Sequence, residues 1–277
     1  MASPFVLEAP ASGFSFQNSG RNVAFEQALG GVRSRRPTPM KTGTTIAGLV
    51  FKDGVVLGAD TRATSSDVVA DKVCSKIHYI APNIYCCGAG TAADTEKTTE
   101  LLSSNLSIFS LNSGRNPRVV MATSILQDML FRYRGQIGAY LLLGGVDVTG
   151  AHLYTVGPYG SVDNMPFKAM GSGDLPAMGV LEDGFRTDME LDDAKRLVRD
   201  AVHAGVMSDL GSGSNIDLCV ITRAGVEYLR PYEESQYKDT RQRKYKYCPG
   251  TTPVLRETVS PLEMELVQET VQLMDTH

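Results

Sequence analysis

The chain has 277 residues, 42% hydrophobic and 21% charged, with a formal net charge of −4. That length suits one large domain or two small ones, the composition is that of a soluble globular protein, and the mildly acidic balance gives no global reason to bind nucleic acid. No apolar run approaches the length of a membrane-spanning helix, and residues 1–43 contain no signal-peptide core.

Residues 1–43 are rich in Gly, Ser, Pro and Asn and show neither a two-residue nor a 3.6-residue period, so they read as a poorly ordered leader. Arg33, Arg35, Arg36 and Lys41 hint at a transit peptide, but Glu8, Glu26 and the missing amphipathic pattern argue against one. Ordered sequence starts abruptly at Thr44. Thr45 to Phe51 is β-branched and apolar, Lys52-Asp53-Gly54 is a hairpin turn, and Val55 to Asp60 is a second strand. A further hairpin runs from Lys76 to Ile80, turns at Pro82-Asn83 and returns through Ile84 to Cys87.

Two helices come next. One starts near Thr91 and runs toward Phe109; the other carries Val119, Met121, Ile125, Leu126, Met129, Leu130 and Tyr133 at helical spacing. Strands return at Ile137–Leu143, His152–Val156 and Phe167–Met170. Helices return near Pro176–Leu181 and Leu191–Ser208, and the last strands are Ile216–Thr222 and Val226–Leu229. Strands, two helices, strands, two helices, strands is an α+β order, which predicts a four-layer αββα sandwich with both sheets inside. From Pro231 the chain turns polar and proline-punctuated and ends in an amphipathic stretch, Pro261 to Met274, which reads as an arm rather than a second domain. The local basic run Arg241–Lys246, interleaved with Tyr245 and Tyr247, reads as a solvated loop. The five cysteines, Cys74, Cys86, Cys87, Cys219 and Cys248, have no metal-site spacing and fit free thiols in a reducing compartment.

A serine or cysteine triad needs a positioned histidine. The four histidines, His78, His152, His203 and His277, read as surface or structural residues, and no G-x-S-x-G elbow is present. A threonine at a chain's N-terminus supplies its own base instead, because its α-amine titrates near about 7.7–8.0. Gly43-Thr44 lies where leader meets first strand, the place such a cut requires; taken alone, the short and common Gly-Thr-Thr string reads better as a loop entering a strand. Lys76, beside Ile77, would be costly in a strand unless paired, and Asp60 at the end of the second strand is the candidate partner. A plain solvent-facing lysine stands as the other reading. Cys87-Gly88-Ala89-Gly90-Thr91 offers backbone N–H groups at a helix start, suited to an oxyanion or simply to tight packing. Gly171-Ser172-Gly173 and Asp209 to Asn215 are Ser/Gly loops whose hydroxyls could brace a threonine amine or only make turns.

Thr44-Thr45-Ile46-Ala47-Gly48, Gly58 to Thr64, Lys76-Ile77-His78, Cys86 to Asp94 and Ser208 to Asn215 together resemble the trypsin-like catalytic beta subunits of the eukaryotic proteasome core. The resemblance covers leader and tail as well, including Phe14-Ser15-Phe16 and Pro249-Gly250-Thr251-Thr252. It implies an N-terminal-nucleophile hydrolase fold. Residues 1–43 would be a propeptide removed by self-cleavage between Gly43 and Thr44, residues 44–230 the catalytic domain, and residues 231–277 an arm on a neighbouring subunit. Thr44 would be the nucleophile, Asp60 and Lys76 its supporting pair, Gly90 the oxyanion donor, and Ser172, Asp209 and Ser212 the brace. Thr64, Cys74, Gly88, Ala92 and Glu96 would line the pocket for the residue before the scissile bond, with cleavage after Arg and Lys.

The same resemblance implies a threonine endopeptidase of ubiquitin-dependent protein degradation that uses no metal or cofactor. Its partners would be the other alpha and beta subunits, assembly chaperones, regulatory caps and unfolded polypeptides, in cytoplasm and nucleus, with no nucleic acid and no membrane. Gly48 to Phe51, Ile80-Ala81-Pro82, Glu96 and the Pro249 string lean toward the interferon-induced form, and with it antigen processing, whereas Ser75-Lys76 and Thr91 to Thr95 lean toward the constitutive one. The alternatives are a non-catalytic ring subunit, which would have lost the threonine, the lysine or the preceding glycine, and a stand-alone amidase of the same fold.

Overall fold

The structure, a computed structural model, describes residues 43–65, 68–234 and 258–259. All of the expected leader but Gly43, the Arg241–Lys246 run, Cys248, His277 and nearly all of the expected arm lie outside the described residues. The compact unit that ends at Ser235 holds the two sheets and their helices.

Two five-stranded antiparallel sheets stack face to face. The first has the order β10-β1-β2-β11-β12, with β1 Thr45–Phe51, β2 Gly54–Asp60, β10 Phe167–Gly171, β11 Ile216–Thr222 and β12 Val226–Glu233. The second has the order β5-β6-β7-β8-β9, with β5 Ile77–Ala81, β6 Ile84–Gly90, β7 Ala139–Asp147, β8 Gly150–Val156 and β9 Val162–Asn164. Helices α1 (Ala92–Ser113) and α2 (Val119–Tyr133) cover the second sheet; α3 (Asp174–Gly184) and α4 (Leu191–Ser208) cover the first. This is the expected αββα sandwich.

The layers arise from where the apolar side chains go. β2 is buried at every position because one face meets α4 and the other meets the second sheet, which is why it reads as a continuous apolar run rather than an alternating one. α4 buries Ala194, Leu197, Val198, Ala201, Val202 and Gly205, one helical stripe, against the first sheet. Ile46, Leu57, Leu142 and Leu153 meet between the sheets. Each such Leu or Ile contributes roughly 1.5–3 kcal/mol by leaving water.

Some boundaries differ from the expected ones. β6 runs through the glycines to Gly90, so α1 begins only at Ala92, and it ends at Gly114 in the left-handed region (φ 65°). β12 continues through Pro231 to Glu233, past the strand end expected at Leu229. The hairpin of β3 (Ala63–Ser65) and β4 (Val68–Asp71) is not among the expected elements. Its four β4 residues are all exposed, so backbone pairing holds it and no burial pattern marks it in the sequence.

Candidate active site

Antiparallel pairing brings residues distant in sequence to one edge of the sandwich. Thr45 lies opposite Gly171, and Asp60 opposite Ile216, so the start of β1, the end of β10, the end of β2 and the start of β11 share one end of the first sheet. The start of β5 and the end of β6 come to the same end from the second sheet, because Ile77 pairs with Cys87. Thr44, Asp60, Lys76, Gly90, Ser172 and the loop Asp209–Ser214 therefore converge, although no two of these segments are adjacent in the chain.

Lys76 Nζ lies 2.7 Å from Asp60 Oδ1 and 3.1 Å from Thr44 Oγ1. The lysine side chain is 8% exposed and the aspartate 0%. Such a pair is tolerated only when its remaining hydrogen-bonding capacity is used, and here it is. Asp60 Oδ1 also accepts from the Thr45 N–H (2.9 Å), and Oδ2 accepts from the N–H groups of Gly213 (3.0 Å) and Arg62 (3.3 Å). The solvent-facing reading of Lys76 is thereby excluded. The Thr44 hydroxyl in turn donates to the Gly43 carbonyl oxygen at 2.6 Å.

A second chain of hydrogen bonds holds the backbone nitrogen of Thr44. Its N–H donates to Ser172 Oγ (3.0 Å), and Ser172 donates to Asp209 Oδ2 (2.5 Å), which also accepts from Ser212 Oγ (2.7 Å). Ser212 reaches back to Thr45 Oγ1 at 2.8 Å. Burial raises the Asp209 carboxyl, but the hydroxyls of Ser172 and Ser212 and the N–H groups of Gly211 and Ser212 outweigh it and hold the group below the ordinary aspartate range. It is therefore a carboxylate, able to orient both serines.

Two glycines are explained by close approach. A Cβ on Gly43 would lie 2.0 Å from the Cα of Gly211, so the residue before Thr44 must pass bare against the Asp209–Ser214 loop. Gly43→Ala should displace the Gly43–Thr44 peptide from Lys76 and slow the self-cleavage expected at that bond by about 10- to 100-fold. Pulse-labelled particles assembled with the variant, followed by the mass of the chain over time, would measure it; cleavage at the wild-type rate would show that the contact with Gly211 does not fix the bond. Gly90 adopts φ 111°, and a Cβ there would meet the Gly138 carbonyl oxygen at 2.3 Å. Only glycine fits this turn from β6 into α1.

Thr44 and Gly90 sit on the rim between two cavities. One, of about 360 Å³, is lined by Thr64, Cys74, Gly88, Ala92 and Glu96, all of the expected pocket residues, together with Gly43, Thr44 and Lys76. The other, of about 540 Å³, is lined by Tyr140, Lys168, Met170, Ser172 and Asp174, among which only Ser172 is an expected site residue. Gly88 has a role beyond pocket depth: a Cβ there would stand 2.8 Å from Thr95 Cβ, so the glycine also lets α1 pack onto β6. Lys97, next to Glu96, turns away to Glu100 (2.7 Å).

His78 also lines the first cavity, although its sequence context reads as that of a surface or structural residue. The signal that could have found it is the two-residue strand period, which puts His78 on the same side as Lys76. Burial lowers its pKa, against the opposing pull of Glu96 and Glu100, so the imidazole is neutral near pH 7.

Comparison with known proteins agrees with this geometry. The proteasome subunit family matches residues 40–221, and the family for the C-terminal segment of proteasome beta subunits matches residues 238–271. Proteasome subunit beta type-10 of Bos taurus is 55% identical over 270 residues, 98% of each chain. The Mus musculus type-10 subunit is 53% identical, with 96% of this chain and 97% of that one covered. Proteasome subunit beta type-7 of Dictyostelium discoideum is 49% identical, with 94% and 97% covered. With identity at this level along nearly the whole length, the chain belongs to the proteasome beta-subunit family, whose catalytic members are threonine endopeptidases of the 20S core.

Proposed function

We propose that Thr44 first cuts its own chain and then serves as the nucleophile of a trypsin-like peptidase. The observation that carries this reading is Lys76 Nζ at 3.1 Å from Thr44 Oγ1, with Asp60 behind it. In self-cleavage Thr44 Oγ attacks the Gly43 carbonyl carbon, and the Gly43–Thr44 C–N bond breaks as an ester to Oγ forms. Water then hydrolyses the ester, releasing residues 1–43 and a free Thr44 amine. In turnover that amine takes the hydroxyl proton, Oγ attacks the substrate carbonyl, and the Gly90 N–H stabilises the oxyanion. The proton passes to the leaving amine, and water hydrolyses the acyl-enzyme. Lys76 supplies positive potential beside Oγ throughout, while Ser172, Asp209 and Ser212 hold the amine.

The family sets the chain in a 20S core with other alpha and beta subunits. We read residues 44–230 as the catalytic domain, with β12 carrying its last strand on to Glu233, and the remainder to residue 277 as an arm that packs on a neighbour. Assembly chaperones, regulatory caps and unfolded polypeptides are the further partners, in cytoplasm and nucleus. The higher identity to the type-10 relatives cited than to the type-7 one favours the interferon-induced form and a role in antigen processing.

Cleavage after Arg and Lys is the specificity that the chemistry of the smaller cavity supports. Its walls, Cys74, Gly88 and Ala92, suit an apolar stem, and Glu96 supplies a carboxylate for a cationic head. Burial lowers the His78 pKa and keeps the ring neutral, so it does not repel that head. Glu96 is exposed in the single chain, so Glu96→Gln should lower the preference for Arg over Leu substrates by about 5-fold, the equivalent of roughly 1 kcal/mol for an exposed charge pair. Fluorogenic peptides ending in Arg, Leu and Asp, tested on particles in which only Thr44 is active, measure it. A wild-type preference for Leu or Asp would overturn the specificity and leave the threonine mechanism standing.

A further inference from the structure

Lys72 to Lys76, between β4 and β5, has no regular structure of its own, yet it carries both Cys74 and Lys76 into the site. Its geometry therefore depends on contacts from elsewhere. Thr61 holds one side, with its hydroxyl donating to the Lys72 carbonyl (2.8 Å) and its carbonyl accepting from the Cys74 N–H (3.0 Å). β12 holds the other. Arg230 donates through Nη2 to the Val73 carbonyl, and Tyr228 Oη lies 3.1 Å from Ser75 Oγ.

Behind Arg230 sits an aspartate that the mechanism does not use. Asp217 on β11 is 1% exposed, and neither of its carboxylate oxygens is hydrogen-bonded among the described residues. Its ion pair there is with Arg230 Nε at 3.4 Å. It lies opposite Ala59, next to Asp60, where the β11–β12 register shifts between Ile216 and Leu218. A buried carboxylate with so few partners is expensive, and an apolar residue of similar size would serve packing better. Its one strong contact, however, is the residue that fixes Val73.

We propose that Asp217 and Arg230 form a strap that positions the Lys72–Lys76 segment, so that Asp217 acts on the Thr44 chemistry through Arg230, Val73 and Lys76. This rests on the reading of Lys76 as catalytic. Burial pushes the Asp217 carboxyl up to about 6, with Arg230 opposing and Asp60 reinforcing the rise. Tyr228 from β12 and Cys87 from β6 complete the titratable groups facing it. Ionised Asp217 attracts Arg230 and the protonated form does not. The contribution of the strap to rate is therefore present above about pH 6 and lost as pH falls through that value.

The test uses assembled 20S particles carrying the full chain, with the other catalytic threonines inactivated. Active Thr44 is counted with a covalent threonine-reactive inhibitor, so misfolded or unassembled chains do not enter the rate. Arg230→Ala and Asp217→Asn should each lower kcat per titrated site on an Arg peptide by about 10- to 100-fold. The double variant should lose no more than the worse single one, because both act through one contact. Asp217→Asn should also remove the fall in kcat/KM around pH 6. Should Asp217→Asn fail to assemble, Arg230→Ala, whose side chain is partly exposed, decides alone. Wild-type kcat per site with an unchanged pH profile, or fully additive losses, would overturn the strap. Lys76→Ala in parallel separates the two claims: if it is inactive while the strap variants are silent, only the strap fails, and if it is fully active the underlying reading fails.

Discussion

Thr44→Ala should leave residues 1–43 attached to the chain in fully assembled particles and abolish its peptidase activity. The hydroxyl that donates to the Gly43 carbonyl at 2.6 Å is the group in this arrangement placed to attack that carbon, and alanine removes it. The fold should persist. Thr44 lies outside β1, and its main-chain contacts, the N–H to Ser172 and the carbonyl to the Gly173 N–H at 3.3 Å, survive the change. Loss of a nucleophile costs on the order of 10³-fold or more in turnover. Mass spectrometry of the chain from purified particles reads the processing, and an Arg-terminated fluorogenic peptide reads the activity. A variant trimmed normally to residue 44 would mean that another protease makes the cut and that the Gly43–Thr44 geometry is incidental.

Lys76→Ala should be nearly as severe, by about 10²- to 10³-fold in kcat, the range for removing one preorganised charge from the reacting atoms. The physical cause is twofold. The positive charge 3.1 Å from Oγ1 disappears, and Asp60, 0% exposed, becomes a buried carboxylate without its cation. The second effect alone costs roughly 3–5 kcal/mol of stability, so activity must be expressed per chain incorporated into particles. Asp60→Asn probes the same unit differently. Asp60 accepts from four donors on its two oxygens, Lys76, Thr45, Gly213 and Arg62, whereas asparagine offers one acceptor oxygen. The donors left over cost about 1–3 kcal/mol each. Near-normal turnover in Lys76→Ala would reduce the lysine to packing and remove the central support of the mechanism.

Much of the site was legible because its chemistry is carried by short segments that end secondary-structure elements. Thr44 before the apolar run 45–51, Asp60 closing the next strand, and the glycines through Gly90 could each be located by pattern. His78 and Asp217 could not. Both lie on strands whose pattern asks mainly for burial: the two-residue period puts His78 on the side of Lys76 without showing that a cavity lies there, and nothing local distinguishes a carboxylate behind an arginine from a tolerated polar residue. The β3–β4 hairpin escaped for the opposite reason, since an exposed ribbon held by backbone pairing leaves no hydrophobic signature.

The sequence by itself determined the order of the core strands and helices and the αββα layering, though not β3, β4 or β9, since apolar periodicity is a local property that decides which face of each strand or helix leaves water. It also determined which residues were chemically suited to be nucleophile, cation and brace. Only the tertiary structure decided that Lys76 is buried against Asp60 and Thr44 rather than solvated, and that Gly43 is required by the backbone of Gly211. Only there does Arg230 meet Val73 and Asp217. These contacts join strand residues such as Asp60, Asp217 and Arg230 to the loop segments around Gly43, Val73, Lys76 and Gly211, and strand register and sheet stacking bring them within hydrogen-bonding distance. Neither can be read from spacing along the chain, because a shift of one residue in register would send the strand side chains of Asp60, Asp217 and Arg230 to the opposite face.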